Sequence, residues 1–187
     1  GRLTIQGTST CPIVLSSSSS SNDHEGIQFN ASSYGRGSTI NHLHIEDAIY
    51  GITLYGANPI MNNVTLFNPD RVGIDMFGGS SPVIRDLYID QAGRSIPFQN
   101  DWRYGIGVSV GDGSTPIVQG AYFTDHLLRG LNLWGASGGI YRDIVMDNIS
   151  GSILGEAAGV WVEDSVPLFE GLTIDKSDTG IIVRHID

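Results

Sequence analysis

A four-residue pattern of glycine, apolar, any residue, apolar recurs at Gly26-Ile-Gln-Phe, Gly51-Ile-Thr-Leu, Gly73-Ile-Asp-Met, Gly105-Ile-Gly-Val, Gly130-Leu-Asn-Leu, Gly159-Val-Trp-Val and Gly180-Ile-Ile-Val. Arg2-Leu-Thr-Ile stands ahead of them as an eighth, glycine-free copy. Successive glycines lie 21 to 32 residues apart, the spacing of stacked repeats. A second pattern follows: Ser38-Thr-Ile-Asn-His-Leu-His-Ile, Pro59-Ile-Met-Asn-Asn-Val-Thr-Leu, Pro82-Val-Ile-Arg-Asp-Leu-Tyr-Ile, Pro116-Ile-Val-Gln-Gly-Ala-Tyr-Phe, Gly139-Ile-Tyr-Arg-Asp-Ile-Val-Met and Pro167-Leu-Phe-Glu-Gly-Leu-Thr-Ile. Each reads as strand, two-residue corner, strand. The second corner residue is His42, Asn63, Asp86, Gly120, Asp143 or Gly171, mostly types that accept the left-handed backbone of a sharp bend. Together the two patterns predict three short strands per repeat and about eight repeats.

Side chains alternate between faces along a strand, so bulky residues two apart share one side. On the first strand the inward pairs are Leu3 and Ile5, Ile27 and Phe29, Ile52 and Leu54, Ile74 and Met76, Ile106 and Val108, Leu131 and Leu133, Val160 and Val162, and Ile181 and Val183. On the third strand they are Leu43 and Ile45, Val64 and Leu66, Leu87 and Ile89, Ala121 and Phe123, Ile144 and Met146, and Leu172 and Ile174. Each buried aliphatic chain contributes about 1.5 to 3 kcal/mol, and a rung coheres only through its neighbours. The Leu-x-x-Leu-x-Leu-x-x-Asn frame of leucine-rich repeats is missing, and a propeller needs four strands per unit. By this grammar the chain resembles the right-handed parallel β-helix, the pectin-lyase-like superfamily, over essentially all its length. The resemblance implies an all-β solenoid forming a single domain over residues 1–187, but no particular activity. Arg2-Leu-Thr-Ile and Gly180-Ile-Ile-Val both read as interior rungs, which predicts a segment of a longer solenoid or end-to-end self-association.

Composition narrows the partners. Glycine supplies 25 of 187 positions and charged residues only 16%, which suits short strands and tight turns. A formal charge of −10 argues against nucleic acid or an anionic membrane as the main partner. No apolar run has the length of a bilayer span, so membrane insertion is not expected. The single cysteine, Cys11, forms no internal disulfide and reads as a small buried residue. Sequons at Asn30, Asn63 and Asn148 tilt the expected location toward the cell surface or outside the cell.

Breaks in the repeat are where loops and function gather. Residues 90–104 and 148–158 lengthen the turn that leads into a first strand and should overhang its outer face, while Ser16 to Ser21 take the place of the first rung's third strand. Outward first-strand positions form two columns. The nearer reads Thr4, Gln28, Thr53, Asp75, Gly107, Asn132, Trp161, Ile182, and the farther Gln6, Asn30, Tyr55, Phe77, Ser109, Trp134, Glu163, Arg184. Neighbouring strands lie about 4.8 Å apart, so Tyr55 and Phe77 should touch, with Trp134 further along, as a platform for sugar rings or as a purely stabilising ladder. Arg71, Arg103 and Arg129 fall at one turn on successive rungs, either as a stripe for an acidic glycan or paired with Asp70, Asp101 or Asp125. Trp102 stands beside Arg103 in the longer insertion.

A glycosidase needs two carboxylates on one groove, and no clear pair emerges from the columns. The polygalacturonase set of Asn-Thr-Asp, Asp-Asp, Gly-His-Gly and Arg-Ile-Lys is absent, as is the Trp-Ile-Asp-His run of pectate lyases. The five histidines show no metal-ligand spacing, no cofactor is expected, and the column of Glu46, Asp90, Asp147 and Asp175 offers a weak calcium site at best. The expectation is an extracellular or cell-surface β-helix module of structural role with a glycan-binding face. That face comprises Tyr55, Arg71, Asp75, Phe77, Trp102, Arg103, Arg129, Trp134 and Trp161. A polysaccharide lyase or glycoside hydrolase working in the same groove, and a phage or viral fibre segment, are the alternatives.

Overall fold

The computed structural model describes residues 1–17, 24–93, 104–151 and 157–185. Their strands, in chain order, are β1 (Thr4–Gln6), β2 (Ile13–Ser16), β3 (Ile27–Phe29), β4 (Thr39–Glu46), β5 (Tyr50–Tyr55), β6 (Ile60–Phe67), β7 (Val72–Phe77), β8 (Val83–Asp90), β9 (Ile106–Val110), β10 (Ile117–Thr124), β11 (Arg129–Leu133), β12 (Gly138–Asp147), β13 (Ala158–Glu163), β14 (Val166–Asp175) and β15 (Ile181–Arg184). They form two parallel sheets. One runs β1-β4-β6-β8-β10-β12-β14, with β2 also paired to β4, and the other runs β3-β5-β7-β9-β11-β13-β15. Alternation sends Leu54, Met76 and Leu133 from one sheet and Leu66, Ile89, Phe123 and Met146 from the other into one apolar core. The predicted second and third strands are continuous elements bent at the corner. Asn41 pairs with Asn62 and Leu43 with Val64, leaving His42 and Asn63 out of register. All six predicted corner residues take a positive φ, from 52° at His42 to 79° at Gly171.

A second left-handed column has no counterpart in the sequence-based expectations. Asp47, Asn68, Gln91, Asp125, Asn148 and Lys176 turn the chain out of the third-strand half of each rung, all at positive φ. Some of their side chains bond between rungs: Asn68 Nδ2 donates to Asp47 Oδ1 at 2.8 Å, and Asn148 Nδ2 donates to Asp125 Oδ1. Asn and Asp tolerate this conformation because their short polar side chains bond locally.

Several expectations need correction. Arg2-Leu-Thr-Ile is not a first strand: Thr4, Ile5 and Gln6 pair with Thr39, Ile40 and Asn41, in the other sheet. Leu3 and Ile5 therefore leave the first-strand core, and Thr4 and Gln6 leave the outward columns. The first rung's third strand is Ile13–Ser16, which pairs with Leu43–Glu46. The serine run thus falls mostly after that strand, and its residues from 18 onward lie outside the described residues. Cys11 is exposed in a turn. At the outermost rung, Ile181 and Val183 are 50% and 74% exposed, so inward orientation there does not mean burial.

β9 is also shifted in register from the expected repeat. Val108 pairs with Ile74 and Leu131, and Val110 with Met76 and Leu133. Gly107, not Gly105, therefore joins the column with Gly73 and Gly130. A Cβ on Gly73 would come 2.7 Å from Gly107 O, and one on Gly107 would come 2.7 Å from Gly130 O and 2.4 Å from Cε1 of buried His126. This close approach, repeated rung by rung, is what requires glycine there. The slip is two residues, an even number, so Val108 keeps its inward face and Val110 joins it in the core, whereas Ile106, expected inward, leaves the main core for a separate cluster with Val72 and Leu128.

Candidate functional site

Corrected for that slip, the outward columns of the β7, β9 and β11 rungs change composition. Ser109 stands between Asp75 and Asn132 in place of Gly107. Gly111 follows Val110 as Trp134 follows Leu133, so a residue without a side chain separates Phe77 from Trp134. The indole fills the space. A Cβ on Gly111 would meet Trp134 Cε2 at 2.2 Å, and Nε1 of the ring donates toward Ser109 Oγ at 3.4 Å. On the other side, Tyr55 and Phe77 touch with centroids 5.2 Å apart and planes tilted by 57°.

Between Phe77 and Trp134 lies a cleft of about 260 Å³, walled by Val72, Asp75, Ile106, Ser109 and Asp112 with the two aromatics. Val72 and Ile106 are buried and, with Leu128 and Tyr50, form a small apolar cluster separate from the main core. The cleft therefore combines an apolar floor, two aromatic walls, one hydroxyl and two carboxylates. Such a mixture suits a sugar ring, whose apolar face stacks while its hydroxyls find acceptors. Ser109 and Asp112 are absent from the sequence-based set. The expected outward columns place Ser109 in the farther one, and Asp112 lies in a turn just beyond β9, where strand alternation says nothing. The signal that could have found both is the second glycine of Gly105-Ile-Gly-Val, which offers an equally good repeat start.

The arginines behave differently from the predicted stripe. Arg129 pairs in register with Ile106, which pairs with Val72, whereas Arg71 stands one position earlier. Arg71 is held between tyrosines: Nη1 donates to the Tyr50 hydroxyl at 3.1 Å, and the guanidinium carbon lies 4.8 Å from the Tyr104 ring centre. The Tyr50 hydrogen bond raises the Arg71 pKa further above its already high ordinary value, with burial opposing it. Arg129 is 5% exposed and donates from Nη1 to Asn132 Oδ1 at 2.7 Å. Trp161 is 3% exposed, with the guanidinium carbons of Arg129 and Arg184 at 3.8 and 4.2 Å from its ring centre. Its Nε1 donates to Glu163 Oε2 at 3.2 Å. Cation–π contacts of this kind stabilise the partly desolvated charges, and the ring is not open for stacking. Of the nine predicted site residues, Asp75, Phe77 and Trp134 line the cleft, Tyr55 adjoins it through Phe77, and Arg71, Arg129 and Trp161 do not line it. Trp102 and Arg103 lie outside the described residues.

On the opposite sheet, the acidic column is interrupted, reading Glu46, Phe67, Asp90, Thr124, Asp147, Asp175 in register. Lys176 Nζ stands 3.0 Å from Asp147 Oδ1 and 3.8 Å from Asp175 Oδ2. Among the described residues, no group of three or more His, Cys, Asp or Glu is placed to hold a metal ion. Asp90 is half-buried beside Tyr88, whose hydroxyl donates to Oδ2 at 3.3 Å. Burial, and then the Asp125 carboxylate, raise the Asp90 pKa.

The family comparison identifies the architecture. The family model described as "Right handed beta helix region" matches residues 3–149. No curated protein matches the chain in sequence. Among solved structures, the chain is similar to the crystal structure of alginate lyase from Paenibacillus sp. str. FPU-7, with 13% identity, coverage of 96% of this chain and 86% of that one, and a TM-score of 0.35. Activity does not transfer across so low an identity. With a family match over most of its length and parallel strands stacked in two sheets, the chain belongs to the right-handed β-helix family.

Proposed function

We propose that this β-helix is a glycan-binding module acting outside the cell or at its surface, and that the cleft between Phe77 and Trp134 receives one sugar residue of the glycan. The carrying observation is Trp134 laid over Gly111 beside Ser109, which makes an aromatic wall next to two carboxylates. A volume of about 260 Å³ falls just below the range of about 300 to 1,000 Å³ typical of small-molecule sites, which fits a single ring better than a long segment. Asp75 and Asp112 in the lining, with Arg71 and Arg129 outside it, favour a neutral sugar over the uronate or sulfate that an arginine stripe would select. The exposed sequon residue Asn30 is compatible with a secreted setting.

A second reading rests on the same two carboxylates. Asp75 and Asp112 sit on neighbouring rungs and face one cleft, the minimum requirement for acid–base cleavage of a glycosidic bond. One experiment separates the readings: incubation of the chain with a panel of neutral and acidic oligosaccharides, followed by both binding and product analysis. Binding of neutral glycans without turnover, weakened about tenfold or more by Trp134→Ala, is the expected result. Turnover abolished by Asp75→Asn or Asp112→Asn would establish the hydrolytic reading instead. Failure of every glycan to bind would overturn both.

A further inference from the structure

A second cavity lies at the corner of the other sheet, where the first rung departs from all the others. In later rungs the bend inside β4, β6, β8, β10, β12 and β14 is made around a single left-handed residue. In the first rung, Gln6 pairs with Asn41 and Ile13 with Leu43, so the six residues Gly7 to Pro12 stand opposite His42 alone. They fold into a tight turn closed by Thr8 and Cys11, with N···O distances of 3.0 and 3.1 Å, and Cys11 N–H also approaches Thr8 Oγ1 at 3.1 Å. Gly7 seats the turn on the next rung. Its N–H donates to Asn41 O at 2.9 Å, and a Cβ at this position would strike His42 O at 2.5 Å. The excursion is therefore docked against the corner column rather than extended away from it.

Beneath it is a cavity of about 320 Å³, within the small-ligand range. Thr8 and Ser9 line it from the turn, His42, Asn63 and Asp86 from the corner column, and Thr65 from β6. His44 also reaches the lining, with Nε2 2.9 Å from Glu46 Oε1. Among the described residues, no Lys, Arg or aromatic carbocycle lines it. Hydroxyls and imidazoles both donate and accept, an amide does the same through its two ends, and an ionised carboxylate only accepts. This inventory matches a ligand whose groups are themselves donors and acceptors, and Asp86 with Glu46 nearby disfavours an anion.

We propose that this corner cavity is a second saccharide site, reading the hydroxyl pattern of one neutral sugar residue by hydrogen bonding rather than by stacking. It is independent of the cleft at Phe77 and Trp134 and does not require that cleft to bind anything. Its occupant differs in how it is held: the cleft takes a ring face, the corner takes hydroxyl edges.

The test is an amide chemical-shift titration of the full chain with neutral monosaccharides, glucose, galactose, mannose and N-acetylglucosamine, and separately with inorganic sulfate. Expected are shifts at Thr8, Ser9, His42, His44 and Asn63 with at least one sugar, retained in Trp134→Ala. Asp86→Asn keeps a residue suited to the left-handed bend, and Ser9→Ala alters only the exposed turn. Each should weaken the affinity read at these amides about tenfold while leaving the rest of the spectrum in place. Shifts confined to residues 109–112 and Trp134, saturation with sulfate in preference to every sugar, or no shifts at millimolar sugar would each overturn the corner site. Failure of the cleft alone would leave the corner shifts untouched, so the two proposals fail separately.

Discussion

Gly111 is the residue on which the cleft depends. Any Cβ there would overlap the indole of Trp134, and a tryptophan ring moves only as a rigid plate. Gly111→Ala should therefore displace the ring from Ser109, costing about 1 to 3 kcal/mol of stability and shifting the tryptophan fluorescence, with loss of the cleft. Unchanged fluorescence and urea midpoint would show that the ring has room to spare. Asp90 offers a different single-residue test. Its folded pKa lies above the ordinary value of 3.8, so the fold favours the protonated form, and stability from this group falls as pH rises from the ordinary carboxylate range through the raised value. Asp90→Asn removes the titration. The variant should gain on the parent at neutral pH, and the gain should shrink on acidification until it vanishes below pH 3.8, as read from urea unfolding at a series of pH values. A gain that stays constant with pH would place its cause elsewhere.

At the scale of strands, the bends and the faces are where the chain's pattern is most informative. A bend inside β12 at φ 53° for exposed Asp143 costs a β-branched residue far more than it costs Asp or Gly. Asp143→Val should lose about 1 to 2 kcal/mol while Asp143→Gly stays within a few tenths, measured by chemical denaturation. The bends were legible because polar turn types and glycine punctuate apolar alternation at fixed offsets. The core was legible because alternation has a period of two, and that same period hid the error at β9. Gly105 and Gly107 are both followed by apolar residues at the right parity, and only inter-strand pairing tells them apart. Ser109 and Asp112 were missed or misplaced for that reason, while Trp161 was misread because strand direction reveals a face but not what covers it. Pairing of Arg2-Leu-Thr-Ile with β4 rather than β3 is likewise a long-range choice that a four-residue match does not encode.

Across the whole molecule, cohesion is greatest where a rung has neighbours on both sides. Ile74 is fully buried in β7, between β5 and β9, whereas Ile181 in β15 is 50% exposed. Ile74→Ala should cost about 2 to 5 kcal/mol, and Ile181→Ala about 0.5 kcal/mol or less. Hydrogen exchange should follow the same gradient, slowest in β5 through β12 and fastest in β1, β2 and β15, and uniform protection would contradict nearest-neighbour cohesion. One further property follows from how the rungs are joined. Between the third-strand half of one rung and the next first strand, the chain uses three residues at 47–49, four at 68–71, four at 125–128 and fifteen at 91–105. Yet Val72, Ile106 and Arg129 still meet in register. Connection length at this corner is decoupled from the pitch of the stack, so the edge works as an insertion port: foreign peptides can enter it without re-spacing the rungs, provided that core residues of the connection such as Ala48 keep their place.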